Sequence, residues 1–148
     1  MKYLALAVIL FLIGIGFTQI EREDYLFTPV VRLRTTDGLF MTFVQDASPK
    51  RSACREAIDR FVSALDTTCT TCFIESTDCA TRLEGMDRAL ANNESLPVHT
   101  ISAEGIHMAM LGPPRLVQVE CEGMAAQLVR LGMKSAACAF PRVTGGVH

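Results

Sequence analysis

Apolar and polar positions begin to alternate soon after residue 28. Val31 and Leu33 are interleaved with Arg32 and Arg34, and a second apolar run, 39–44, follows Thr36-Asp37-Gly38. A period of two is that of a half-buried strand. An Asp-Gly step between two such runs predicts a hairpin, because both residues tolerate positive φ. The period then changes. Cys54, Ala57, Ile58, Phe61, Val62 and Leu65 recur at three- and four-residue spacing, while Lys50, Arg51, Arg55, Asp59 and Arg60 fill the other positions. This stripe predicts a helix opened by Ser48 as N-cap and Pro49 at its first position.

Residues 66–80 are rich in Thr and Cys. They read as a loop held by disulfides, since Thr suits neither a helix interior nor an apolar core. A second, shorter helix is expected over 79–91, with Leu83, Met86 and Leu90 in register. Gly85 weakens it and Asn92-Asn93 ends it. Residues 98–101 and 106–111 read as strands around Ser102-Ala103-Glu104-Gly105, and Gly112-Pro113-Pro114 is a firm break. A further strand is expected at 116–119, a helix from Glu120 or Cys121 to Leu131, and a closing strand within 135–140. No internal repeat is evident. The predicted class is α+β: a mainly antiparallel sheet with two or three helices packed on one face, stabilised by disulfides and preceded by an N-terminal hydrophobic helix.

That N-terminal segment sets the compartment. Met1-Lys2 is a minimal positive region, residues 3–20 carry no charge, and Glu21, Arg22, Glu23 and Asp24 follow. A helix over 3–20 is about 27 Å long at about 1.5 Å per residue, close to the hydrocarbon thickness of a bilayer. Lys on one side and acids on the other orient the remainder outward. Two readings are open. One is a signal peptide cut after Gly16 or Thr18, and the other is an uncleaved anchor. The expected organisation is a leader at 1–20, a linker at 21–28, one extracytoplasmic domain at 29–141 and a tail at 142–148. The domain is expected in a periplasm, secreted, or held at an inner membrane with its fold outside.

Charge narrows the partners. The formal net charge is −2, and Trp is absent. Such a chain lacks the basic footprint for nucleic acid, and its sparse aromatics offer no stacking platform. Six cysteines, Cys54, Cys69, Cys72, Cys79, Cys121 and Cys138, all follow the leader. An even count in an exported domain reads as a disulfide framework with fifteen possible connectivities. The expected pairing joins Cys121 to Cys138 and leaves the other four to form two bridges around 66–80.

Three constellations carry candidate chemistry. Cys69-Thr70-Thr71-Cys72 has the spacing of a thiol–disulfide pair, but it follows a helix rather than a strand. Cys69, Cys72 and Cys79 lack the second close pair of a structural zinc site. His107, Met108 and Met110 offer imidazole and thioether ligands suited to copper, although in a strand the two methionines share one face and His107 takes the other. His99 is expected to face His107 across the hairpin. Nucleophile-elbow, zinc-protease and phosphate-loop motifs are absent. The expected function is therefore a disulfide-stabilised binding or accessory module acting through a protein or envelope component, with no cofactor and no nucleic acid. The membrane is a partner only if 3–20 stay uncleaved. The alternative is a thiol–disulfide oxidoreductase using Cys69 and Cys72, and a third reading is copper handling.

Overall fold

The computed structural model describes residues 25–141. The expected leader helix, the first half of the linker and the tail lie outside the described residues. The elements are β1 (Thr28–Thr35), β2 (Phe40–Gln45), α1 (Arg51–Thr68), β3 (Cys72–Ala80), α2 (Gly85–Ala91), β4 (His99–Ala103), β5 (Ile106–Leu111), α3 (Pro114–Arg130) and β6 (Ala137–Ala139). All six strands form one sheet in the order β3-β1-β2-β5-β4-β6, and every neighbouring pair is antiparallel. The class is α+β.

The period-two pattern sorts side chains onto two faces. Val31, Leu33, Met41, Phe43, Ile101, Met108 and Met110 share one face and pack beneath α1 and α3. Those helices contribute Cys54, Ile58, Val117, Cys121 and Ala125, the inward positions of their stripes. Val30, Val44 and Ala109 point the other way and are covered by Leu90 of α2. Two helices thus pack on one face, and the third covers part of the opposite face.

Four local expectations change. Residues 72–80 form a strand, not a loop, paired along β1 from Thr28↔Ala80 to Thr35↔Cys72. Most of the threonines that suggested a loop fall outside it: Thr67 and Thr68 end α1, and Thr70 and Thr71 lie in the connection. The strand itself carries Phe73 and Ile74 at its start, residue types that favour extended backbone, and as an edge strand it requires no apolar alternation. Residues 116–119 are helical, because α3 already starts at Pro114, whose missing N–H costs nothing there. Ser48 is not the cap of α1. Its backbone exchanges two hydrogen bonds with Phe27, its hydroxyl accepts from the Lys50 N–H at 3.3 Å, and Lys50 takes the cap position. Finally, α2 is shorter than expected, since 79–80 belong to β3.

The largest departure is an internal repeat. β1-β2-α1-β3 and β4-β5-α3-β6 are two ββαβ units, each with its last strand returning beside its first. They meet along β2 and β5. There Phe40 pairs with Leu111 and Val44 with His107, Met41 with Met110 and Phe43 with Met108, while Thr42 faces Ala109. This register is that of a two-fold axis through the Thr42–Ala109 pair. Residues 39–44 and 106–111 occupy equivalent places. Each run follows a turn that ends in a glycine with positive φ, Gly38 at 87° and Gly105 at 76°, where a side chain would be strained. Cys54 and Cys121 lie at the same offset, and both are fully buried.

Candidate functional site

The cysteines form three disulfides and no thiol is free. Cys54–Cys79 ties α1 to β3, and Cys121–Cys138 ties α3 to β6, with Cα atoms 6.0 and 5.6 Å apart. Each repeat therefore staples its helix to its outer strand. Cys69–Cys72, with Cα atoms 5.5 Å apart, closes the short connection between α1 and β3. Cys69 is the residue that caps the C-terminus of α1, and its Sγ lies 3.8 Å from the Thr71 hydroxyl. A redox pair gains reactivity where a helix N-terminus faces the attacking thiolate. Here the opposite, partially negative helix end meets the pair.

His107, Met108 and Met110 do not converge. The methionines are core residues, 2% and 1% exposed, on the face beneath α1 and α3. His107 lies on the other face, as its alternating position requires. Its Nδ1 is 3.1 Å from the Ser102 hydroxyl, whose proton is donated to Asn93 Oδ1 at 2.6 Å. The serine proton is therefore directed away from the imidazole, and His107 must be the donor in its own contact. This is the reverse of the polarity a serine nucleophile needs. His99 does not face His107. It pairs with Met110, lies on the other side of the sheet and sits edge-on to Phe140, with ring centroids 5.3 Å apart. Among the described residues no group of three or more His, Cys, Asp or Glu side chains is placed to hold a metal ion.

Three large apolar side chains outside the core share the open sheet face. Phe73 of β3 pairs with Arg34 of β1, Arg34 with Phe40 of β2, and Phe40 with Leu111 of β5. These four residues form one row across four adjacent strands. Phe73 is 52% exposed, Phe40 44% and Leu111 38%. α2 covers only the other end of this face, around Val30 and Val44, and the Arg32–Asp87 ion pair anchors it there. Arg34 stands inside the row and reaches Glu75 at 3.5 Å, with half of its side chain still exposed. Arg34, Phe40 and Phe73 together line a depression of about 300 Å³ beside Gly38.

Sequence reasoning missed this row because it read 66–80 as a loop. The usable signal was Cys72-Phe73-Ile74, an apolar run with an aromatic and a β-branched residue of the kind that favours a strand. Comparison with protein-family models, curated proteins and solved structures finds no match, so no reading rests on a relative.

Proposed function

We propose that this chain is a binding module of an oxidising compartment outside the cytoplasm, and that it acts by docking a protein partner on its open sheet face. The observation that carries this reading is the four-strand row Phe73–Arg34–Phe40–Leu111, with three large apolar side chains left in solvent. Contiguous exposed apolar surface rimmed by polar groups marks an interaction site, and aromatic and Arg side chains dominate the centres of such sites. Arg34 sets the partner's chemistry: apolar side chains placed around a carboxylate, which would compete with Glu75 for the guanidinium. Three disulfides fit a domain that works in an oxidising environment. Whether residues 3–20 are removed or retained, the docking face belongs to the folded domain.

A photo-crosslinking residue in place of Phe40, used in the native compartment, tests the proposal. The expected result is one defined adduct that disappears when Arg34→Glu or Phe73→Ser is added, with circular dichroism unchanged. The purified partner is expected to lose at least tenfold in affinity for Arg34→Glu. Adducts indifferent to both substitutions would overturn the reading. So would turnover of a substrate by the purified domain alone.

A further inference from the structure

The opposite face holds a second feature, independent of the docking row. α1 and α3 both rest on the sheet and make no extensive contact with each other. Between them lies a cavity of about 290 Å³. Met41 and Phe43 of β2 form its floor, and Leu65 of α1 and Met124 of α3 its walls. Its volume is at the small end of the range for organic ligands, and its apolar interior with a few polar groups is the usual composition of such sites.

The charged groups all carry one sign. Asp37, from the β1–β2 turn, and Glu120, from α3, line the cavity, and no Lys, Arg or His does. Neither carboxylate forms an ion pair among the described residues. Thr68, the last residue of α1, also lines it, so the C-terminus of α1 lies at the cavity. The last turn of that helix contains no basic residue. The negative end of the helix dipole therefore adds to the two carboxylates without an internal counter-charge. Thr35, Thr71 and Gln127 add neutral polar groups to the lining.

We infer that this cavity binds a small cationic amphiphile, an organic ammonium whose apolar body lies on Met41 and Phe43 while its head meets Asp37 and Glu120. An anion of the same shape is excluded by the two carboxylates and the helix end. A neutral one gains the apolar contact but leaves the electrostatic attraction unused. The attraction weakens with added salt, because the mouth is open to solvent.

The test uses the folded, oxidised protein and decyltrimethylammonium below its micelle concentration. Decyl sulfate and decyl maltoside serve as the anionic and neutral matches. Calorimetry is expected to give saturable one-to-one binding of the cation, with the other two at least tenfold weaker. Amide NMR shifts are expected at the β1–β2 turn, β2 and the middle of α3. Asp37→Asn combined with Glu120→Gln is expected to weaken the cation at least tenfold and leave decyl maltoside unchanged. Both side chains are exposed, so the fold is not at risk in that variant. Equal binding of cation and anion would overturn the inference. So would shifts confined to the Phe40–Phe73 row, or affinity unchanged in the double variant.

Discussion

Thr42 and Ala109 face each other at the centre of the β2–β5 ladder, and each is the counterpart of the other in the two halves of the molecule. A pair that is its own image under the axis fixes the register of every pair around it. It explains why Met41 and Phe43 find Met110 and Met108, which fills one face at the dyad with large flexible and aromatic side chains. It also explains why the stapled strands β3 and β6 are the two edges of the sheet. An edge strand has one hydrogen-bonded neighbour instead of two, and a disulfide to the helix above it restores part of the missing attachment. The halves differ where the function is proposed. β3 has nine residues and β6 three, so only the first half extends a full row across the open face.

The two disulfides of the first half should contribute unequally. Cys54–Cys79 spans 25 residues of sequence and Cys69–Cys72 only 3. Closing the longer loop restricts the unfolded chain more, by about 3.5 kcal/mol against about half that. Cys54 is also buried against the core, so its loss leaves a small void. Urea unfolding of Cys54→Ala/Cys79→Ala and Cys69→Ala/Cys72→Ala, each compared with the parent, measures both. The expected order is a clearly larger loss for the first pair. Equal losses would mean that native-state strain or denatured-state structure, not loop length, governs the effect.

The short helix α2 should be held mainly by its apolar contact. Leu90 is 2% exposed and closes the small core formed with Val30, Val44 and Ala109. Leu90→Ala is expected to cost about 2–3 kcal/mol, in the range of buried leucine truncations. The Arg32–Asp87 ion pair is partly open to solvent, and Arg32 is two-fifths exposed. Asp87→Ala is therefore expected to cost no more than about 1 kcal/mol, and less in high salt. Thermal unfolding at two salt concentrations separates the terms. A larger loss for Asp87→Ala than for Leu90→Ala would reverse the assignment.

Both hairpins were legible in the residues because turn chemistry and period agree there. Asp37-Gly38 and Glu104-Gly105 each stand between runs of alternating apolar side chains, and local and tertiary preferences coincide. β3 was hidden for the opposite reason. Thr77, Asp78 and Glu75 are exposed on an edge strand, so nothing in their polarity marks a sheet. Residues 116–119 misled because Leu116, Val117 and Val119 favour a strand in isolation. Pro114 at the first helical position and the burial of Val117 and Cys121 on one stripe decide for the helix. The repeat was invisible at the level of letters. It survives in glycine, methionine, cysteine and apolar character, while the halves differ in the spacing from strand to helix and in the length of the last strand. The open-face row joins residues from four strands, and such a site has no local motif to find.

The thiol–disulfide reading makes a prediction of its own, and the position of Cys69 argues its outcome. A catalytic pair must accept attack on an accessible sulfur and then hold a thiolate ready for the next exchange. Cys69 caps the C-terminal end of α1, so the negative end of the helix dipole lies beside the pair. Cys72 begins β3, so opening the bridge also loosens the end of the strand that carries Phe73. Both features favour a structural closure over a cycling pair. In an insulin-reduction assay with dithiothreitol, the protein and its Cys69→Ser/Cys72→Ser variant are expected to give the same background rate. Mass spectrometry after alkylation without reduction is expected to find all six cysteines protected in the parent. A rate well above background that vanishes with Cys69→Ser, in a variant that keeps its unfolding midpoint, would instead establish the redox function. The connection between α1 and β3 would then be its active site.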